Sequence, residues 1–218
     1  MSVPGVTVII PVKGGPEVKS RLHPDPVVRS AFARAFALDT AAAALAATQV
    51  GCVVVVTSDV DAAADFSRLG CQVVREQPTQ GSDPLNAAIA QARDWATQQR
   101  HDQPLAVLPG DLPALTPAVL DDALIRARAH RLAFCTDAQG LGTTLLVAAR
   151  PTLLTTAYGP GSALKHRAAG AFALQRVDRR LRQDIDTMDG LCAAERLGVG
   201  TATTAMLADH ALVVGATG

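Results

Sequence analysis

The short apolar runs of this chain constrain its fold more than any other feature. CVVVVT (Cys52–Thr57) has no polar alternation, and VTVIIPV (Val6–Val12), CQVVRE (Cys71–Glu76) and LAVLPG (Leu105–Gly110) are similarly rich in β-branched residues. A strand with one wet face alternates apolar and polar side chains, whereas a strand covered on both faces does not. Between these runs lie longer alanine-rich segments with helix-start signals. Asp25 and Pro26 place a capping carboxylate before a proline at the first helical position, and Asp83 and Pro84 repeat the pattern. DVDAAADFSRLG reads as a helix closed by Gly70, and Thr116 with Pro117 opens another that runs to about His130. The alternation predicts an α/β fold: a mostly parallel central sheet with helices on both faces and right-handed crossovers.

The second half is less regular. RLAFCTD, LGTTLLVAA and FALQRVD read as strands, GPGSALKHRAAGA as a glycine-rich turn feeding a short helix, and TMDGLCAAERLG as a helix ended by Gly198. The tail ADHALVVGATG carries the weakest signal. No repeat or low-complexity linker divides the chain, which predicts one domain over residues 1–218.

Composition narrows the partners. Apolar residues make up 49% and aromatics 3%, so the core should be aliphatic. Twenty basic and twenty acidic residues give a formal net charge of +0, which leaves no global field for a nucleic-acid backbone. Cys52, Cys71, Cys135 and Cys192 form no CxxC pair and no zinc spacing, as expected of reduced structural thiols. The N-terminal apolar run is too short for a signal peptide, and no stretch reaches the ~20 apolar residues of a membrane span. A cytoplasmic protein without a membrane partner is expected.

In open parallel sheets ligands bind beyond the carboxyl ends of the strands, so the residues just after each strand matter most. After the first strand come Lys13, Lys19 and Arg21 in a loop containing Gly14, Gly15 and Pro16. Glycines let the backbone approach a ligand and three cations suit a polyphosphate, although the GxxxxGK[ST] pattern is absent. After the third, Asp83 and Asn86 stand at a helix start, where they can cap the helix or read a purine edge or a ribose hydroxyl. After the fourth, Asp111 follows Gly110; a carboxylate leaving an apolar strand is costly to bury unless paired, hydrogen-bonded or metal-bound. In an extended segment Asp184 and Asp186 would point to one side, and oxygen-only ligands of this kind suit magnesium. Thr143, Gly159 and Ser162 provide glycines and hydroxyls for an anion nest, with Lys165, His166 and Arg167 adding positive charge. Each signal has a plainer use: a solvated basic loop, helix caps, a polar loop, a surface histidine, a structural turn. Together they describe a site that brings two phosphorylated ligands over magnesium.

In this order, VIIPVKGGPEVKSRL, DPLNAAI, LPGDLPAL, GLGTTLL, YGPGSALKHR and DIDT resemble the phospholactate/phosphoenolpyruvate guanylyltransferases of coenzyme F-420 biosynthesis. The resemblance covers nearly all of the chain except its tail. It implies a nucleotidyltransferase fold of the glycosyltransferase-A-like, nucleotide-diphospho-sugar transferase type. It implies that Lys13, Gly14, Lys19 and Arg21 receive the phosphates of GTP, and that Asp83 and Asn86 lie beside its nucleoside. Asp111, Asp184 and Asp186 would hold two magnesium ions, and Thr143, Gly159 and Ser162 the carboxylate of the small acid. The chain departs from the family in placing its glycine pair ahead of Lys19 and in its apolar tail.

The expected reaction is transfer of GMP from GTP to phosphoenolpyruvate, with release of pyrophosphate and formation of enolpyruvoyl-2-diphospho-5'-guanosine. The alternatives are the same chemistry on 2-phospho-L-lactate or 3-phosphoglycerate, or a nucleotide-binding module without turnover. The reading admits a homodimer and handover of a labile product to the downstream deazaflavin transferase.

Overall fold

The computed structural model describes residues 5–13, 21–79, 81, 83–100 and 102–216, with the side chains of 100 and 211–216 outside the description. Seven strands form one sheet: β1 (Val6–Pro11), β2 (Val50–Thr57), β3 (Gln72–Arg75), β4 (Leu105–Val107), β5 (Leu132–Thr136), β6 (Thr143–Ala148) and β7 (Phe172–Ala173). Their order is β3-β2-β1-β4-β6-β5-β7. Only β6 runs against its neighbours; the other pairings in the sheet are parallel.

The inner apolar runs, β1, β2 and β4, are strands because both of their faces are covered, whereas the edge strand β3 is half-buried. Val8, Ile10, Val53 and Val55 join one core cluster with Ala37, Ala41 and Ala44. These alanines belong to α1 (Pro26–Ala46). Ile9, Val54 and Val56 point the other way, onto Ala88, Ile89 and Ala92. Those residues belong to α3 (Pro84–Arg100). Successive side chains on a strand face opposite sides, so an uninterrupted run of valine and isoleucine feeds two cores.

The helix starts lie where the local signals place them. Asp25 accepts from the Val27 N–H at 2.8 Å and caps α1. Asp59 caps α2 (Val60–Leu69), and Gly70 closes it with φ 106°, a left-handed conformation open to glycine. Thr116 caps α4 (Pro117–Ala127). The short helices α5 (Ser162–Ala168) and α6 (Arg179–Arg182) lead to α7 (Met188–Leu197).

Two segments differ from expectation. The FALQRVD run is a strand only at Phe172 and Ala173. Arg176 turns the chain with φ 51°, and the Arg126 guanidinium takes the carbonyls of Gln175 and Arg176 that a longer strand would have paired. The apolar tail forms α8 (Thr201–Ala216). Its cap comes from mid-α1, where buried Asp39 accepts from the N–H groups of Ala202 at 2.9 Å and Thr203 at 2.8 Å. Met206 and Leu207 then pack on a third cluster containing Phe32, Phe36, Ile185 and Leu191.

Candidate active site

Reversing β6 gathers chemistry at one edge. The edge already holds Lys13 after β1, Asp111 after β4 and Asp137 after β5. Because β6 is antiparallel, its first residue, Thr143, pairs with Thr136 at the end of β5 and reaches the same edge.

The Asp111 turn is anchored on every side. A Cβ on Gly110 would sit 3.1 Å from the Ala37 Cβ, so the turn lies directly on α1. The Leu112 N–H donates to Thr40 Oγ1 at 3.2 Å, and that hydroxyl donates to the Phe36 carbonyl at 2.8 Å. The Ile185 N–H donates to the Asp111 carbonyl at 3.2 Å, and the Gly200 N–H to the Pro113 carbonyl at 2.9 Å. Asp111 Oδ1 is closed off from solvent. Buried backbone groups satisfied in this way leave the carboxylate little freedom to swing.

The same turn organises the late acidic pair. Ile185 is fully buried, and Asp184 and Asp186 stand on either side of it. The bond from Ile185 to Asp111 therefore brings all three aspartates into one neighbourhood. Asp111, Lys13 and Tyr158 line a cavity of about 190 Å³. Asp184 and Asp186 line a larger one of about 630 Å³, together with Arg21, Asp137, Arg179 and Asp189. Among the described residues, no group of three or more His, Cys, Asp or Glu side chains is gathered closely enough to hold a metal. The backbone bond at Ile185 joins the two segments of the expected trio, but Asp111 lines one cavity and Asp184 and Asp186 the other. Lys13 and Arg21 are both exposed, one at each cavity, while Gly14 and Lys19 lie outside the described residues.

Asp83 and Asn86 meet at the start of α3, where the Asn86 amide is fully engaged. Its Nδ2 donates to Asp83 Oδ2 at 2.7 Å and to the Tyr158 carbonyl at 3.0 Å, and its Oδ1 accepts from the Tyr158 N–H at 3.0 Å. Asn86 thus clasps the loop after β6 much as a neighbouring strand would. Both amide protons are taken, which leaves the second lone pair of Oδ1 for any contact with a purine edge or a ribose hydroxyl. Asp83 is exposed, and the hydrogen bonds from Asn86 hold its carboxyl below the usual range, helped by Lys13 and Lys165 nearby. Lys13 also lines the smaller cavity.

Thr143 and Ser162 are buried, whereas Gly159 is exposed with φ 120° and no atom within 4 Å of the Cβ it lacks. Ser162 donates its N–H to the Gly159 carbonyl at 3.1 Å, so the turn is closed. His166 is not a surface histidine: it is completely buried. Burial, with Lys165 second, pushes its imidazole down to about 4, so it adds no positive charge near neutral pH. Arg167 is exposed and lies over the Phe134 ring, 5.8 Å from its centre.

Residues 6–177 match the family model described as "Guanylyl transferase CofC like". The chain belongs to this family. The phosphoenolpyruvate guanylyltransferase of Streptomyces scabiei is 47% identical over 207 residues, covering 93% of this chain and 95% of that one. The enzyme of the same name from Streptomyces coelicolor is 44% identical with equal coverage, and that of Mycobacterium ulcerans 38% over 94% of each chain. Among solved structures, a protein of Desulfovibrio desulfuricans described as a nucleotide-diphospho-sugar transferase superposes with a TM-score of 0.71. It is 18% identical and the match covers 97% of each chain, so it speaks for the fold alone.

Two groups of this guanylyl transferase went unnoticed in its sequence. Asp137 is buried and accepts from the N–H groups of Leu141 at 2.9 Å and Gly142 at 2.6 Å, shaping the turn that delivers Thr143. A Cβ on Gly142 would meet Asp137 Oδ2 at 2.5 Å, so the turn requires glycine there. Arg182 donates to the carbonyls of Thr136, Asp137 and Ala138, closing the end of β5 just before the acidic pair. An aspartate followed by glycines was the available signal for the first. The second had none, because its partners lie more than forty residues away.

Proposed function

We propose that the protein transfers GMP from GTP to phosphoenolpyruvate, with pyrophosphate as the other product. The observation that carries this reading is a chain 47% identical to a phosphoenolpyruvate guanylyltransferase, in which Lys13 and Asp111 share one cavity and Asp184 and Asp186 share another with Arg21. An oxygen of the acid's phosphate attacks the α-phosphorus of GTP, a new P–O bond forms, and the bond to the bridging oxygen of pyrophosphate breaks. The attacking phosphate is already anionic, so no general base is required. Positioning and charge neutralisation supply the rate.

Lys13 stands at the smaller cavity, where the phosphate chain of GTP would enter, and Arg21 at the larger one. Lys19 belongs to the same basic loop and would join them. Asp111, Asp184 and Asp186 are the residues that would hold magnesium. Their oxygen-only, open arrangement suits an ion that keeps several waters and completes its shell with substrate phosphates. When bound, magnesium would offset charge on the phosphates in flight. Thr143, Ser162 and the Gly159 backbone would receive the acid's carboxylate. The labile nucleotidyl product suits direct handover to the enzyme that consumes it.

The test is product analysis by mass spectrometry. The purified protein is incubated with GTP, magnesium and, separately, phosphoenolpyruvate, 2-phospho-L-lactate or 3-phosphoglycerate. A GMP adduct of phosphoenolpyruvate with stoichiometric pyrophosphate is expected. An adduct formed only with another acid would refute the acceptor assignment, and binding of GTP without pyrophosphate release would refute catalysis.

A further inference from the structure

The imidazole of His166 touches two parts of the acid-binding edge at once. Its Nε2 accepts from the Ala157 N–H at 3.0 Å. A backbone amide can only donate, so Nε2 carries no proton and, in the neutral ring, Nδ1 carries it. Nδ1 lies 2.9 Å from Thr143 Oγ1. The threonine hydroxyl must therefore accept from the ring, and its single hydrogen is left to donate elsewhere. No tautomer reverses this without setting two N–H groups against each other at Ala157.

We propose that His166 is a positioning residue that fixes Thr143 as a hydrogen-bond donor toward the acid's carboxylate. The proposal rests on the guanylyl-transfer reading above and deepens it. One ring ties two groups together. Thr143 is held through Nδ1, and the segment leading to Gly159 through Ala157. Ser162 sits one helical turn before His166 on α5. The Tyr158 ring packs edge-on against the imidazole at 5.2 Å between centres, so the ring cannot flip freely. A threonine free to rotate would offer either a lone pair or a proton to the ligand. A threonine already accepting from His166 offers a proton, which suits an anionic oxygen.

Two substitutions separate the contacts. In His166→Gln the side-chain oxygen can take the place of Nε2 and keep Ala157, while the donor to Thr143 is lost. In His166→Asn the side-chain amide can take the place of Nδ1 and keep Thr143, while Ala157 is lost. We expect His166→Gln to raise KM for phosphoenolpyruvate about tenfold with KM for GTP unchanged, the scale of one hydrogen bond to a charged group. His166→Asn should retain the lower KM. Thr143→Val should match His166→Gln, and the double variant should be no worse than either single one. Nitrogen-15 NMR of the wild-type imidazole should show protonated Nδ1 and bare Nε2. Protonated Nε2, an unchanged KM in His166→Gln, or additive losses in the double variant would overturn the proposal. A wild-type protein that forms no GMP adduct while its imidazole spectrum is as expected would instead overturn the underlying reading of the reaction.

Discussion

Removing the Asp39 carboxylate is expected to loosen the link between the two ends of the chain. Asp39 sits mid-way along α1, where an aspartate is a poor helix former, and its oxygens take the N–H groups of Ala202 and Thr203 in the first turn of α8. Loss of a helix cap costs about 0.5–2 kcal/mol. Here the setting adds to it, because Thr203 is fully buried and water cannot replace the lost acceptor. An unsatisfied buried N–H costs about 1–3 kcal/mol. Asp39→Ala should therefore cost about 2–4 kcal/mol, or about 4–16 °C in Tm for a chain of this size. Gly200→Ala attacks the same joint from the other side, since its Cβ would collide with the Asp39 carboxylate. The two losses must overlap in part, because truncating Asp39 removes the Cγ and Oδ1 that the added methyl group would strike and leaves only its Cβ, at 2.8 Å. The assay is thermal and urea unfolding of both single variants and the double. A Tm for Asp39→Ala within a degree of wild type, or strictly additive losses, would refute the reasoning.

Three further outcomes follow from the geometry. Asp111→Asn should lower turnover about 10²–10³-fold and shift the magnesium dependence, the scale for losing one group that offsets transition-state charge; wild-type turnover at unchanged magnesium dependence would count against the metal assignment. His166 is held neutral in the fold down to about pH 4, whereas the unfolded chain takes up a proton near 6.5. Its contribution is complete above about pH 6.5 and is lost as the pH falls toward 4, a change of at most about 3 kcal/mol; chemical unfolding of His166→Gln across that window should show a flatter profile. Burial pushes the Cys71 thiol up to about 12 and Cys135 to about 11, while Cys192 is exposed; a disulfide reagent at pH 8 should label Cys192 well before either, and early loss of the Cys135 thiol would contradict its burial.

Where a residue's partner is near in sequence, the sequence is readable. Asp25, Asp59, Thr116 and Gly70 each act within a few positions of themselves, and each marks a helix end where local chemistry places it. The inner strands β1, β2 and β4 are equally legible, because burial on both faces leaves a run without polar alternation, while FALQRVD at the sheet's edge shortens to Phe172 and Ala173. What could not be read depends on contacts across long stretches of chain. The cap of α8 comes from a residue 163 positions away, so the tail has no start signal of its own. The bonds of Asn86 to the backbone of Tyr158, 72 positions on, carry no local signal. His166 carries no mark of burial, because a lone histidine between a lysine and an arginine looks solvated. The expected grouping of Asp111 with Asp184 and Asp186 comes from residue type and family resemblance; the fold links their segments by one backbone bond at Ile185, with Asp111 lining one cavity and the late pair another.

The single reversed strand, β6, has a consequence for how such a chain can change over time. It forms a seam between two halves of the sheet, one contributing Lys13 and Asp111 and the other Thr143 with the loop that ends at Ser162. On the guanylyl-transfer reading proposed above, the nucleotide and the acid would fall to different stretches of sequence that meet along one hydrogen-bonded boundary, β4 against β6. A lineage could exchange one small acid for another through substitutions after residue 137, leaving the nucleotide half untouched. Sequence drift along such chains should be uneven, with the two sides of the seam answering to separate selective demands.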